Sequence, residues 1–310
     1  MKILSKVCKK IIKKTFVDVH KKNTFNKQFT NLNSTLKHIT MKKICKFPLL
    51  IFSVSLLAIS CKRENIAPQN AVPQTVLNQI AAQGFSTDNV KKVSNGYLVE
   101  GDIILTNQNL TQTSSSPALL IANEEQYRTT NLVTRLPRTI TVSVTNLPTV
   151  YSNATDAAIA RYNALPGTTL TFQRVASNGN INIVGFNQGP SGGYITLGSS
   201  GFPTSNGDPY NEIQLNTNVQ AYGTNPDQGY VTSVIQHEMG HCIGFRHTDY
   251  MNRAYSCGGR RYNEGKAGVG AILIPGTPSQ PDAGSFMLAC SDGTDRTFNA
   301  NDLIAMAYLY

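Results

Sequence analysis

Apolar and polar residues alternate in TITVSV (139–144), the pattern of a strand with one buried face. LTFQRV (170–175), INIVGF (181–186) and EIQLNT (212–217) extend that signal to four strands, and the glycine-flanked GGYITLG (192–198) suits an edge strand. Between the first two strands, ATDAAIARYNAL (154–165) has helical spacing, with Asn153 or Thr155 as N-cap. GYVTSVIQHEMGHCIG (229–244) predicts a second helix that stops at Gly244, and NANDLIAMAYLY (299–310) a third, capped by Asn299 or Asn301. Upstream, VLNQIAAQGF (76–85) reads as a short amphipathic helix and YLVEGDIIL (97–105) as a strand. The polar, low-complexity TNQNLTQTSSS (106–116) follows as a loop, so a boundary is expected there or shortly after, before Arg138. No internal repeat is visible.

Charge divides the chain differently. Residues 1–60 hold 13 Lys/Arg and one acid, Asp18, whereas the remainder holds 15 Lys/Arg and 17 acids. The overall +10 therefore belongs to the leader, and the folded part has no basic patch that would suit nucleic acid. Within the leader, MKKICK (41–46) is a positive n-region and FPLLIFSVSLLAIS (47–60) an apolar run too short for a membrane-spanning helix. Cys61 follows at once, and the segment resembles a bacterial lipoprotein signal that would lipidate that cysteine. Ordinary secretion is the other reading; both export the chain, to the cell surface or beyond. Translation from Met41 would make residues 1–40 an over-extended start. Residues 61–80 read as a tether and 81–130 as a pro-segment, ahead of a body at 131–310. Past Cys61 only Cys242, Cys257 and Cys290 remain, enough for one bridge in an oxidising compartment. Cys257 with Cys290 is favoured because Cys242 falls in the second predicted helix, though the sequence does not fix the pairing.

That helix carries the chemistry. In HEMGHCIGFRH, His237 and His241 are one turn apart and face the same way, and Gly244 lets the chain turn so that His247 can join them. Three imidazoles suit a tetrahedral Zn²⁺ with the fourth position open to water. Glu238 is placed to take a proton from that water and pass it to a leaving amine. His20 and His38 lie in the leader, so every other histidine of the chain is in this motif.

The motif resembles the metzincin zinc peptidases, whose signature is HExxHxxGxxH with a downstream methionine turn, and most of all the bacterial HEIGH metallopeptidases. The resemblance implies an α+β zincin fold: a twisted mixed sheet, a backing helix, an active-site helix and a small C-terminal subdomain. It implies a zinc endopeptidase acting on proteins or peptides, with Met287 in the methionine turn rather than Met306, and GGYITLG as the cleft rim that pairs with substrate. Asp249 is a candidate to hold a histidine N–H or a backbone amide. Astacin-type relatives keep a tyrosine two residues past the methionine, where this chain has Ala289, so either Tyr250, Tyr255 or Tyr262 stabilises the oxyanion or zinc acts alone. VEGD (99–102) resembles the segment of astacin prodomains whose aspartate caps the zinc, a role that would fall to Asp102, with Arg128, Arg135 and Arg138 as cleavage points. Arg260 and Arg261 could favour acidic substrates. The alternative to an enzyme is a surface lipoprotein that binds protein or glycan through a silent cleft; a retained Glu238 argues against it.

Overall fold

The computed structural model describes residues 71–111, 126–191, 193–265, 269–278 and 280–310. The expected signal segment and Cys61 lie outside them. Among the described residues no helix is long and apolar enough to cross a membrane.

The first elements are α1 (Gln74–Ala82), β1 (Lys91–Val93), β2 (Gly96–Val99), β3 (Ile103–Leu105) and α2 (Asn107–Thr111). Residues 97–105, expected as one strand, are a hairpin: β2 and β3 pair antiparallel, Tyr97 opposite Leu105 and Val99 opposite Ile103. The break falls at Glu100 and Gly101, whose φ values of 54° and 95° reverse the chain. Period-two burial then splits the hairpin. Leu98 and Ile104 join the main core, while Tyr97, Val99, Ile103 and Leu105 pack with Ile80, Phe85, Leu110 and Phe202 in a smaller cluster. The tether expected through residue 80 is thus partly folded, with Ile80 fully buried in α1.

Then come β4 (Tyr127–Arg128), β5 (Arg138–Val144), α3 (Thr149–Asn163), β6 (Leu170–Arg174), β7 (Ile181–Phe186), β8 (Gly198–Ser199) and β9 (Glu212–Asn216). Five of them form one mixed sheet in the order β6-β5-β7-β9-β8, parallel except for β8, which runs antiparallel to β9 at the edge. Helix α3 begins after Pro148 rather than at Asn153 or Thr155. Proline's fixed φ suits a helix start, and the Thr155 hydroxyl instead donates to the Tyr151 carbonyl at 2.7 Å.

The chain continues through α4 (Val219–Tyr222), α5 (Gln228–Ile243), α6 (Ala254–Cys257), β10 (Ile272–Leu273) and α7 (Ala300–Leu309). Asp227 caps α5 by accepting from the Tyr230 amide, and Gly244 at φ 114° ends it, a conformation that side chains with a Cβ resist. Asn299 caps α7 in a reciprocal box with Asp302. Helices α3 and α5 bury their apolar faces with β5, β7 and β9 in one core that includes Ile140, Ile183, Ile213, Ile235 and Met239. That core fixes α5, and with it the motif.

Candidate metal centre

His237 and His241 leave α5 on one face, and the turn at Gly244 brings His247 against them. Each ring is oriented through Nδ1: His237 donates to the Phe286 carbonyl at 2.9 Å, His241 to the Phe245 carbonyl at 2.9 Å, and His247 to the Glu264 carboxylate at 2.8 Å. Because these partners only accept, the proton sits on Nδ1 and Nε2 is left as a ligand. The Nε2 atoms converge, those of His241 and His247 lying 3.1 Å apart. The fourth member is Asp102 from the β2–β3 turn, with Oδ2 at 2.9 Å from His247 Nε2 and 3.9 Å from His237 Nε2. One ligand atom from each residue falls within a 4.8 Å cluster.

Burial and the two carboxylates that flank His247 set the charge of this cluster. Burial, then the neighbouring His247, lowers the pKa of His237 to about 4, and burial with both other histidines holds His241 well below the ordinary value. Burial alone would lower His247 too, but Asp102 and Glu264, one at each ring nitrogen, raise it well above. Burial works to raise the Asp102 carboxyl, yet His247 and Arg253 hold it below the usual range. Three imidazoles and a carboxylate turned on one point, away from bulk water, suit zinc by donor type and number.

Glu238 is 2 % exposed and does not enter the cluster. Its Oε2 accepts from the Ser200 hydroxyl at 2.7 Å, and burial followed by the Asp102 charge pushes its pKa well above the usual carboxylate value. A Cβ on Gly198 would stand 2.8 Å from its Oε1, so the rim strand passes this carboxylate as bare backbone. Met287 is fully buried against α5, with Sδ 2.6 Å from where a Cβ on Gly240 would project.

Several expected roles shift. The rim strand is only Gly198–Ser199, not 192–198, and its continuation is already paired: the Ile104 amide donates to the Ser200 carbonyl at 2.7 Å and the Ser200 amide to that of Asp102 at 2.9 Å. Of its two expected partners, Asp249 takes the backbone amide and not a histidine. It accepts from the Ala289 amide at 2.9 Å and the Ser256 hydroxyl at 2.6 Å, bracing the two segments that a Cys257–Cys290 disulfide joins. Cys242 is a buried free thiol. Arg128, Arg135 and Arg138 are not in a linker. Arg128 sits in β4, paired with Ile272, and both others hold Asp208, while Gln126 already donates to Ser285 and Asp302. The body thus includes residues from Gln126 onward. Tyr262 lines the cleft, whereas Tyr250 is buried edge-on against Tyr127 and Tyr255 is exposed. Sequence reasoning missed Glu264 and Ser200; Glu264 is the only glutamate between His247 and Met287, which was the available clue.

A cleft of about 590 Å³ runs past His237 and Glu238. No curated protein matches the chain significantly. Solved structures that resemble it include two of myroilysin, at 15 % and 16 % identity, covering 59 % and 58 % of this chain and 98 % and 86 % of theirs, with TM-scores of 0.37 and 0.35. A third is high choriolytic enzyme 1, a hatching enzyme zinc-protease from Oryzias latipes (medaka fish), at 16 % identity over 55 % of this chain and 88 % of that one, TM-score 0.32. The family profile described as dual-action HEIGH metallo-peptidase matches residues 97–310, a span that contains the histidine cluster and the carboxylate at its centre. This chain therefore belongs to the dual-action HEIGH metallo-peptidase family and is a zinc-dependent peptidase of protein or peptide substrates.

Proposed function

We propose that the chain is an exported zinc endopeptidase held inactive by its own N-terminal hairpin. The observation that carries this reading is the Asp102 carboxylate, 2.9 Å from His247 Nε2 and grouped with the three histidines. The Nε2 atoms of His237, His241 and His247 would hold the zinc, and in the precursor the Asp102 carboxylate would join them. Zinc held there would supply acidification of a water and polarisation of the scissile carbonyl. Glu238 takes up the proton of the attacking water and returns it to the leaving amine, while the Ser200 hydroxyl fixes one of its oxygens at 2.7 Å. Displacing residues 102–104 also frees the Ser200 backbone, giving an extended substrate an edge to pair with. The Cys257–Cys290 disulfide supports an oxidising, extracytoplasmic compartment. Lipidation at Cys61, which lies outside the described residues, is part of the same proposal.

The test compares the full chain with its Asp102→Ala variant on an unstructured protein substrate, with and without a zinc chelator. The variant should cleave without prior processing and the wild type should not, and the chelator should stop the variant. An inert variant that still binds zinc would refute autoinhibition by Asp102.

A further inference from the structure

Beside the metal cluster lies a second buried site to which the hairpin also donates a carboxylate. Arg246 is the bulkiest fully buried side chain among the described residues. Its Nη2 stands 3.4 Å from Glu100 Oε2 and 3.6 Å from Glu264 Oε2, and its Nη1 donates to the Gly270 carbonyl at 3.2 Å. The rings of Phe85, Phe202 and Tyr250 enclose the guanidinium at 5.7 to 5.8 Å. Arg253 approaches from the other side, with Nη1 at 3.3 Å from Glu264 Oε1. Neither Glu100 Oε1 nor Arg246 Nε has a hydrogen-bond partner. Glu100 thus sits in this pocket without saturating it.

The charges are divided by origin. Glu100 and the ring of Phe85 come from the N-terminal region; Arg246, Arg253 and Glu264 belong to the body. Without the hairpin, two guanidinium groups would share a single carboxylate, Glu264, which is already engaged by His247. The same asymmetry extends along the cleft. The N-terminal region lines it with the acids Asp88, Glu100 and Asp102 against one base, Lys91, whereas the body contributes Arg253, Arg260 and Arg296 against one acid, Glu238. Burial and the neighbouring Glu264 push the Glu100 carboxyl above its usual range against the pull of Arg246 and Arg253, so what the pocket offers an acidic side chain is the directional donors of two guanidinium groups, one with an open position.

We propose that the pocket filled here by Glu100 is an acid-binding subsite of the peptidase, which takes an Asp or Glu side chain of the substrate within two residues of the scissile bond. The spacing follows from the hairpin, where Glu100 lies two residues from the carboxylate at the metal centre. The inference rests on displacement of the hairpin during activation.

Two measurements test it. The processed enzyme is given quenched peptides identical except for Glu, Gln or Lys at each of three positions on either side of the cleaved bond. At one position Glu should be cut at least tenfold faster than Gln, with Lys slowest, and Arg253→Gln should narrow the Glu-to-Gln ratio. A structural lesion alone would slow both peptides equally. Cleavage with no acidic preference at any position overturns the subsite while leaving the peptidase reading intact. Independently, the processed Glu238→Gln protein is titrated with a peptide of residues 97–105 and with the same peptide carrying Glu100→Gln. The first should bind at least tenfold more tightly, with the gap shrinking in high salt. Equal binding overturns the proposal even if no substrate is ever cut.

Discussion

The helix that carries the histidines and the hairpin that carries Asp102 meet at one point but are built differently. Helix α5 is buried along most of its length and belongs to the main core, and each of its histidines is locked by an acceptor from the body. The hairpin is divided: Leu98 and Ile104 reach the main core, while Tyr97, Val99, Ile103 and Leu105 rest on a cluster of eight buried residues, only one of which, Phe202, comes from the body. A metal site needs ligands that do not move, and the autoinhibition proposed above would need a ligand that can leave. The two constructions fit those needs, because local opening draws on regions with little buried apolar contact.

The largest expected effect separates chemistry from binding on the rigid side. Glu238→Gln keeps the hydrogen-bonding shape but not the base. Turnover of the processed enzyme should fall by about 10² to 10⁴-fold, while zinc content measured by mass spectrometry stays at that of the wild type. A variant that retains more than a tenth of wild-type turnover would remove Glu238 from the proton path.

Next in size is the bracing of the methionine turn. Asp302 accepts from Gln126 Nε2 at 2.7 Å, the Ser285 hydroxyl at 2.8 Å and the Phe286 amide at 3.1 Å, and Phe286 in turn orients His237. Burial pushes the Asp302 carboxyl from 3.8 to about 6. A folded value above the unfolded one means that folding favours the protonated form. Its contribution is therefore complete below about pH 4 and lost as pH rises through 6, on the order of 3 kcal/mol at 1.36 kcal/mol per unit. Asp302→Asn has no proton to lose there. The stability difference between wild type and variant, measured by denaturant unfolding, should shift against the wild type between pH 4 and 6; a constant difference would break the assignment.

A smaller effect lies in the ligand support. Glu264→Gln weakens the partner of His247 and should reduce zinc affinity by about 10 to 100-fold. Asp249→Asn, whose contacts are to the Ala289 amide and Ser256, should leave zinc affinity within a few-fold of wild type. Equal losses in the two variants, followed by chelator competition, would erase the distinction between ligand support and loop support.

These contrasts mark what the sequence could reveal. The zinc helix was legible because His237, His241 and Gly244 follow helical geometry within a short segment, and β5, β6, β7 and β9 because alternation is local. Asp102 was reachable only through resemblance, since the apolar run of YLVEGDIIL reads as one strand and its carboxylate meets His247, 145 residues further along the chain. Glu264 and Ser200 arrive from segments without periodicity, so their partners depend on tertiary packing alone. Asp249 was read toward either a backbone amide or the nearest histidine, and the fold spends its carboxylate on the first of these, the Ala289 amide beyond Met287. Sequence proximity to a ligand is weak evidence of contact when the intervening backbone is turning.

The smallest effect tests whether hairpin and body are separate cooperative units. Asn299 caps α7 by accepting from the Asp302 amide at 2.9 Å, and Asn299→Ala should cost about 1 kcal/mol. If β2 and β3 open on their own, below the free energy of global unfolding, their amides exchange by a route that never breaks the α7 cap. Native-state hydrogen exchange should then leave Leu98, Ile104 and their neighbours unchanged while the slowest amides of α5, such as those of Ile235 and Met239, exchange about fivefold faster. Acceleration of both sets by the same factor would mean that hairpin and body unfold together. In that case Asp102 could not leave the zinc without loss of the fold, and release would have to come from cutting the chain rather than from opening it.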